Sequence, residues 1–224
     1  LYPQTFRAIR TIFGVSDHSF LMSLGLRQVL GSLLMGDLCS LTSLVAEGKS
    51  GSMFYFSHDG LYLVKTLGDD EMHSMIKMLP GYYAHIAKNP NSLLVKYYGL
   101  YRLVVDSKER NLTVMGNVFR SNLDIHRRFD LKGSTLGRTV GASKRGKPGV
   151  VHKDLDFTEM GFAVHLNTDM AASLRKQLVH DAAFLESRAG ACGNSAAIAS
   201  STARSAASAT ASGGVGLGMV AGTR

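Results

Sequence analysis

A single lysine, Lys65, follows a glycine- and serine-rich segment at a spacing that suits nucleotide phosphates. Residues 48–52 read Gly-Lys-Ser-Gly-Ser, and Asp59-Gly60 lies between two apolar runs that connect this segment to the lysine. Asp-Gly in that position favours a two-residue β-turn, which pairs Lys65 with Phe54. Free backbone N–H groups beside a lysine on a neighbouring strand hold nucleotide phosphates in phosphoryl-transfer enzymes. An ordinary hairpin with a lysine at its rim is the alternative interpretation.

The sequence Gly48-Lys49-Ser50 resembles the end of a Walker A motif, but the rest of the motif is missing. That motif requires a glycine five residues before Gly48, where this chain has Ser43. It also requires a following helix, whereas the pattern here predicts a strand. A P-loop is therefore excluded.

Positive charge is concentrated in residues 120–147. The formal net charge of the chain is +8, and this segment carries eight basic residues against two acidic ones, Asp124 and Asp130. The basic residues are Arg120, Arg127, Arg128, Lys132, Arg138, Lys144, Arg145 and Lys147. Such a segment attracts nucleic acid, a phosphorylated ligand or anionic lipid, and a solvated basic loop is the alternative. We expect no nucleic acid, because no aromatic stacking platform accompanies the charge.

Composition favours a globular protein of a reducing compartment. The chain has 224 residues, of which 45% are apolar, enough for one or two domains with a core. Cys39 and Cys192 offer no disulfide framework, and the histidines lack zinc-site spacing, so we expect a cytoplasmic protein and no metal ligand set. Arg27 and Asp37 interrupt the best candidate for a membrane span. Because the chain begins with Leu1 and shows no signal peptide, we interpret it as a piece of a longer protein.

Hydropathy patterns predict an α+β fold in which helices pack on an antiparallel sheet. We divide the chain into a helical region at 1–47, a sheet with one helix at 48–119, a basic loop with short helices at 120–186, and a tail at 187–224. The tail is rich in Ala, Gly and Ser and has no acidic residue, so we expect it to be disordered.

The second stretch gives the most detailed predictions. Gly68 to Glu71 provide a cap and first-turn acids, and apolar residues then recur at helical spacing until Pro80 ends or kinks the helix. Strands are expected at 93–98, 100–105 and 112–115, with a turn at 108–111.

This order of elements is that of the small lobe of a kinase-like fold, followed by part of a second lobe. His126-Arg127-Arg128 departs from the His-Arg-Asp of protein kinases. The chain instead resembles the phosphatidylinositol phosphate kinases over about residues 1–186. The segments that carry the resemblance are Gly48–Ser52 with Lys65-Thr66, Met78–Tyr83, Asn89–Leu94, Tyr98–Tyr101, Phe129–Thr135 with Arg138, Lys153–Phe157, and Phe184–Glu186.

The resemblance implies phosphoryl transfer from ATP, with Mg²⁺, to the inositol ring of a phosphoinositide, and the wording of residues 129–135 leans towards a 5-kinase acting on phosphatidylinositol 4-phosphate. It implies that Lys65 neutralises phosphate charge, that Val64 covers the adenine, and that residues 115–118 form the adenine-contacting linker. Glu71 pairs with Lys65 or, alternatively, only favours the helix dipole. The implied nucleotide residues are Gly48, Lys49, Ser50, Gly51, Ser52, Val64, Lys65, Glu71, Met115 and Asn117.

For the lipid end of the reaction, the resemblance implies that Asp130, Lys132 and Arg138 lie near the transferred phosphoryl group and the lipid phosphate. It implies substrate or membrane contacts for Arg127, Arg128, Lys132, Arg138, Lys144, Arg145 and Lys147. The implied partners are the phosphoinositide and the anionic cytosolic face of the plasma membrane, and we also consider a homodimer.

After Phe184-Leu185-Glu186 the sequence departs from the family. The family continues with an aspartate-containing catalytic loop, a magnesium-binding aspartate and an activation loop, whereas Ser187-Arg188 here leads into the tail. We therefore expect little or no activity from these residues alone. The alternatives are a non-catalytic phosphoinositide-binding fragment, or a kinase acting on phosphatidylinositol 5-phosphate or 3-phosphate.

Overall fold

The computed structural model divides the chain into two compact units, residues 1–120 and 121–224. It describes residues 1–25, 43–44, 54–57, 59–105, 107–189 and 220–221. Both units combine helices with strands, so the predicted α+β class is confirmed. The four-way division of the chain stays a prediction.

Unit 1 is built on a five-stranded antiparallel sheet with the order β1-β2-β3-β5-β4. Its strands are β1 (Ser43–Leu44), β2 (Phe54–Phe56), β3 (Tyr62–Leu67), β4 (Tyr97–Val105) and β5 (Lys108–Gly116). Its helices are α1 (Pro3–Ile12), α2 (Asp17–Leu24) and α3 (Asp69–Lys88). Residues 26–42 of the predicted helical region lie outside the described residues.

The β2–β3 hairpin has the predicted register, with Phe54 opposite Lys65. Its turn is longer than predicted, because the hydrogen bond in which the N–H of Ser57 donates to the carbonyl of Tyr62, at 2.9 Å, leaves four residues between them. Gly60 takes a φ of 67°, which glycine adopts without strain. A four-residue loop and a two-residue loop share the same register, so the position of Lys65 is unaffected.

The predictions for β4 and its turn were wrong in detail. A single strand, β4, replaces the two strands expected at 93–98 and 100–105, and the chain reverses before Lys108 rather than at 108–111. The register shifts between Tyr97 and Gly99, which marks a bulge where a break was expected. A Cβ at Gly99 would lie only 2.5 Å from the ring of Tyr101, so a larger residue at the bulge would require that ring to move.

An aromatic cluster forms the core on one face of this sheet. Its rings meet edge to face, with centroids 5.2 Å apart for Phe20 and Tyr62 and 5.5 Å apart for Tyr62 and Tyr98. The buried members are Phe20, Tyr55, Tyr62, Val64, Tyr98 and Val114. Arg10 of α1 ties α1 to α2 and to the sheet, because its guanidinium donates to Asp17 at 2.8 Å and to the carbonyl of Tyr98 at 2.8 Å.

Helix α3 continues through Pro80 to Lys88, so of the two predicted alternatives, an end or a kink at the proline, the end is excluded. Pro80 is exposed, where water can satisfy the carbonyl that loses its intrahelical partner. Beyond it, Tyr82 and Ile86 are buried and hold the helix against the rest of the unit. The hydroxyl of Tyr82 donates to the carbonyl of Val95 at 2.8 Å and its ring packs on Tyr97.

Unit 2 has a three-stranded sheet with the order β7-β6-β8, in which β6 and β7 are parallel. Its elements are β6 (Arg127–Asp130), α4 (Ala142–Arg145), β7 (Val151–Lys153), α5 (Asp154–Glu159), α6 (Thr168–Ala189) and β8 (Val220–Ala221). Phe129 anchors a small aromatic cluster with Phe157 and Phe162, at centroid distances of 5.2 and 5.1 Å.

The predicted disordered tail at 187–224 lies mostly outside the described residues. Its first three residues belong to α6, and residues 220 and 221 form β8, so the prediction was too broad at those positions. None of the helices in the described ranges is both long and apolar enough to cross a bilayer.

Candidate functional site

Lys65 projects from the middle of β3 towards the start of α3. Its Nζ donates to Oε1 of Glu71 at 2.6 Å and lies 5.9 Å from the ring centroid of Phe54. The side chain is 21% exposed. The ammonium group is therefore held by one carboxylate and one aromatic face while it remains accessible from solvent.

Glu71 satisfies both interpretations of the sequence at once. Its Oε1 accepts from Lys65, and its Oε2 accepts from the backbone N–H of Gly68 at 3.1 Å, so the same carboxylate also caps α3. Burial opposes ionisation of Glu71, but the hydrogen bonds from Lys65 and Gly68 outweigh it, and the pKa of Glu71 is lowered from its ordinary value. The ion pair is thus present at neutral pH.

Val64 does not share the face of Lys65, which corrects its prediction as the residue over an adenine. Successive side chains of a strand point to opposite faces, and Val64 is buried in the aromatic cluster, 8% exposed. Leu63, two positions before Lys65, shares the face of the lysine and is partly exposed. Leu63 lies opposite Met115 in the β3–β5 ladder, so these two apolar side chains are neighbours on that face.

Asn117, predicted in the adenine-contacting linker, ties the end of β5 to the β2–β3 hairpin. Its side-chain amide donates to the carbonyl of Gly60 at 2.8 Å, and its backbone N–H donates to the carbonyl of Leu61 at 2.9 Å. Its Oδ1 accepts from the N–H of Phe119 at 2.9 Å. The amide of Asn117 therefore has a structural role, and its predicted contact with a nucleotide stays a prediction.

The glycine-rich segment Gly48–Ser52 lies outside the described residues. Its five predicted nucleotide contacts stay a prediction. The described part of the predicted nucleotide site is the face of the sheet that carries Leu63, Lys65 and Met115, together with Glu71 from α3.

In unit 2, residues 130–138 form a loop, here called the 130–138 loop, that brings the predicted residues Asp130, Lys132 and Arg138 together. One carboxylate oxygen of Asp130 lies 3.5 Å from Nζ of Lys132, and the other lies 3.5 Å from Nη2 of Arg138. The side chain of Lys132 is 56% exposed, whereas that of Arg138 is 11% exposed. The lysine is therefore the accessible cation of this group.

Arg138 has partners within the chain, and its predicted place near the lipid phosphate stays a prediction. Its Nε donates to Oδ2 of Asp154 at 2.6 Å, and its Nη2 donates to the backbone carbonyl of Asp130. Fork-shaped guanidinium groups suit bidentate contacts of this kind. Here the partners are a carboxylate and a carbonyl of the chain itself.

Asp154, the first residue of α5, organises the same loop from the other side. Its Oδ1 accepts two backbone N–H groups, from Lys132 at 2.9 Å and from Gly133 at 2.7 Å. Burial opposes ionisation of Asp154, but hydrogen bonds from Arg138, Gly133 and Lys132 outweigh it and lower its pKa. Sequence analysis identified the segment but gave Asp154 no role.

Arg145 forms ion pairs within unit 2, and its predicted membrane contact stays a prediction. Its Nε donates to Oδ1 of Asp156 at 2.7 Å, and its Nη2 pairs with Glu159. Asp156 is completely buried. The charge count of residues 120–147 does not capture these ion pairs, because both acids lie beyond that segment, 11 and 14 positions after Arg145.

Asp156 is the centre of a larger set of hydrogen bonds that sequence analysis missed. Its carboxylate accepts from the hydroxyl of Thr139, the backbone N–H groups of Val140 and Lys153, and the guanidinium of Arg145. Burial opposes ionisation of Asp156, yet these bonds hold its pKa far below the ordinary range. The available signal was an acid three residues into a short helix, at the position where a side chain bonds back to the residue before the helix.

The remaining predicted membrane cations lie at the surface of unit 2. Exposed side chains in this set are Arg127, Arg128, Lys132, Lys144 and Lys147. The guanidinium of Arg127 lies 4.9 Å from the ring centroid of Phe162, which fixes its stem while its charge stays accessible. Within the described ranges, no group of three or more His, Cys, Asp or Glu side chains could hold a metal ion.

Comparison with known proteins extends these observations over most of the chain. Residues 35–190 match the family model described as "Phosphatidylinositol-4-phosphate 5-Kinase". The phosphatidylinositol 4-phosphate 5-kinase of Plasmodium falciparum is 39% identical over 190 residues, which cover 82% of this chain and 11% of that protein. Phosphatidylinositol 4-phosphate 5-kinase 8 of Arabidopsis thaliana is 37% identical, over 83% of this chain and 22% of that protein.

A human relative gives the same result. Phosphatidylinositol 4-phosphate 5-kinase type-1 alpha is 36% identical over 186 residues, which cover 83% of this chain and 31% of that protein. The chain thus spans at most about a third of each of these three relatives. Because the family model covers more than half of the chain, the chain belongs to the phosphatidylinositol-4-phosphate 5-kinase family.

Proposed function

We propose that this chain is part of a lipid kinase that transfers the γ-phosphoryl group of ATP to the 5-hydroxyl of phosphatidylinositol 4-phosphate, giving phosphatidylinositol 4,5-bisphosphate. The observation that carries the proposal is the Lys65–Glu71 ion pair on a sheet and helix of a chain whose family model covers residues 35–190. The names of the three relatives support the same substrate.

Unit 1 binds the nucleotide in this proposal. The ammonium group of Lys65 neutralises charge on the phosphates, and Glu71 fixes its position through the 2.6 Å hydrogen bond. The partly exposed side chain of Leu63 provides the surface on which an adenine lies, and the buried side chain of Met115 supports it from the neighbouring strand. The backbone N–H groups of residues 48–52 cover the phosphates.

Unit 2 binds the lipid headgroup. Lys132, exposed at one end of the 130–138 loop, meets a phosphate of the inositol ring as a point charge, and Asp130 lies 3.5 Å from its Nζ to orient it. Four further exposed cations attract an anionic bilayer, and each contributes about 1 kcal/mol near its surface. They are Arg127, Arg128, Lys144 and Lys147. We place this bilayer at the cytosolic face of the plasma membrane.

Magnesium accompanies ATP in the reaction proposed from the family resemblance. The described residues offer no acidic cluster that fits a resident metal ion.

Radiolabelled ATP tests the reaction. Any longer form of this protein is incubated with vesicles containing phosphatidylinositol 4-phosphate, 5-phosphate or 3-phosphate, and the products are separated by position of the phosphates. We expect labelled phosphatidylinositol 4,5-bisphosphate from the 4-phosphate and its loss in Lys65→Met. Preferential use of another monophosphate would overturn the 5-kinase assignment, and unchanged turnover in Lys65→Met would overturn the role of the lysine.

Membrane binding and self-association are tested separately. We expect the 224-residue chain to sediment with anionic vesicles in a salt-sensitive manner, and reversal of charge at Arg127 and Arg128 to weaken that binding. Binding to RNA stronger than to vesicles would contradict the absence of a nucleic-acid partner. Light scattering of the purified chain tests the homodimer, and a monomeric mass would contradict it.

A further inference from the structure

The 130–138 loop contains an anion-binding arrangement that a carboxylate of the chain itself fills. The backbone N–H groups of Lys132 and Gly133 converge on one oxygen of Asp154, at 2.9 and 2.7 Å. Gly133 has a φ of 65°, a left-handed conformation that lets successive N–H groups point to one acceptor. The other carboxylate oxygen of Asp154 accepts from Nε of Arg138 at 2.6 Å.

Asp154 can fix the backbone of the 130–138 loop because Asp154 is itself held in place. It begins α5, its side chain is 15% exposed, and the N–H of Leu155 donates to the carbonyl of Arg138 at 3.0 Å. Lys153, immediately before it, donates through Nζ to the carbonyl of Gly137 at 3.2 Å. Both ends of the 130–138 loop are therefore bonded to the start of α5.

This arrangement determines how Lys132, the accessible cation of the 130–138 loop, is held. Arg138 has its charge compensated by Asp154, whereas the ammonium group of Lys132 is 56% exposed and only 3.5 Å from the nearer oxygen of Asp130. The backbone of Lys132 is held by Asp154 through its own N–H. The direction in which Lys132 leaves the loop thus depends on a residue 22 positions away in sequence.

We propose that Asp154 is a positioning residue for the lipid headgroup. It fixes the backbone from which Lys132 projects, and it occupies the N–H groups and the guanidinium that would otherwise bind a phosphate in a competing place. A phosphomonoester of the headgroup then meets one preorganised cation, the ammonium group of Lys132. Without Asp154 it would meet three mobile donors, which are the two backbone N–H groups and the guanidinium. This inference rests on the proposed function of Lys132.

The test compares Asp154→Ala and Asp154→Asn with Lys132→Met in the 224-residue chain. Binding is measured to phosphatidylcholine vesicles that carry phosphatidylinositol 4-phosphate, and to vesicles in which phosphatidylserine supplies the same charge. Amide hydrogen exchange at Lys132 and Gly133 reports the loop directly. Asp124→Ala and Lys176→Met, at exposed positions, are the matched controls.

We expect Asp154→Ala to speed exchange at both amides and to weaken binding to the phosphoinositide vesicles about tenfold, because the backbone from which Lys132 projects is no longer fixed. Asp154→Asn keeps an acceptor oxygen but loses the charge facing Arg138, so we expect an intermediate effect. Binding to phosphatidylserine vesicles should change little in either variant, which a merely unfolded loop would not predict. Protection of α6 amides shows whether Asp154→Ala folds, and Asp154→Asn carries the test if it does not.

Failure of this inference is distinguishable from failure of the proposed function. If Lys132→Met weakens phosphoinositide binding while both Asp154 variants bind like the wild type, Asp154 has no positioning role and the inference is overturned. If Lys132→Met itself binds like the wild type, the lipid part of the proposed function is overturned, and the inference with it.

Discussion

The two units hold partly buried basic side chains in different ways. In unit 1, Lys65 has one carboxylate partner at 2.6 Å, and both side chains remain partly exposed. In unit 2, the arginines Arg138 and Arg145 are each paired with acids that are mostly or completely buried. The lysine is therefore available to a ligand, whereas the two arginines stabilise the fold.

The units also differ in what fills their interiors. Unit 1 has an extensive apolar and aromatic core around Tyr62 and Tyr98. Unit 2 buries the carboxylate of Asp156 beside a small aromatic cluster around Phe129. A buried charge is tolerated only when its partners surround it, so unit 2 depends on a few polar bonds where unit 1 depends on many apolar contacts.

The largest expected effect on stability comes from Asp156→Ala. The substitution leaves four donors without their common acceptor, and we expect the free energy of unfolding of unit 2 to fall by about 4 kcal/mol. Hydrogen exchange measured on peptides of each unit should show the loss in unit 2. Asp124→Ala, which removes an exposed carboxylate from the same unit, is the control. Equal exchange in both variants would mean that unit 2 does not depend on its buried acid.

Phe20→Ala is the matching change in unit 1. It removes a buried ring that contacts Tyr62 and Tyr98, and we expect a loss of about 3 kcal/mol from the cavity that remains. Leu21→Ala, at the next position of α2 where the side chain is 55% exposed, should cost far less. Similar melting temperatures for the two variants would contradict the position of the core.

The pH dependence of stability sharpens the comparison. The pKa of Asp156 lies far below that of an unfolded aspartate, about 4, and the pKa of Asp154 is lowered as well. The stabilisation from these groups is complete above pH 4 and is lost as the pH falls towards their folded pKa values. Between pH 5 and pH 3 we expect the melting temperature of unit 2 to fall.

Variants identify the source of that pH dependence. Asp156→Ala should show a flatter dependence than the wild type, because it lacks the group with the largest shift. A slope unchanged in Asp156→Ala would assign the effect to other acids, among them Asp17, Asp59 and Glu71 of unit 1, whose pKa values are also lowered.

The smallest expected effect on stability is that of Glu71→Gln. Glutamine can still accept from the N–H of Gly68 but cannot form the ion pair with Lys65, so we expect a change within about 0.5 kcal/mol. Nucleotide affinity should fall roughly tenfold, because Lys65 loses its fixed position. Affinity equal to the wild type would limit Glu71 to a helix-capping role.

Local patterns predicted unit 1 well where a strand or helix has strong periodicity. The Asp-Gly turn and alternating strands located Lys65 opposite Phe54, and the acids after Gly68 located the start of α3. The same period-two rule, applied one residue further, would have chosen Leu63 instead of Val64. Val64 was chosen because it is next to Lys65 in sequence, without regard to which face of the strand its side chain occupies.

Unit 2 was harder to predict because its organisation depends on pairs distant in sequence. Arg138 and Asp154 are 16 positions apart, and no periodic pattern connects them. The basic character of residues 120–147 suggested surface charge for Arg138 and Arg145 alike, yet both guanidinium groups have acidic partners that lie later in the chain. Charge counts report composition, whereas the pairing depends on the fold.

Binding of ATP to the 224-residue chain tests the account of unit 1 most directly. Equilibrium dialysis with radiolabelled ATP, with and without magnesium chloride, compares the wild type with Lys65→Met and with Lys77→Met, which changes an exposed lysine on α3. We predict that Lys65→Met weakens binding at least tenfold, about 1.4 kcal/mol or more, while Lys77→Met binds like the wild type. Equal ATP affinity in all three proteins, or no binding by the wild type, would contradict the assignment of Lys65 to a nucleotide site.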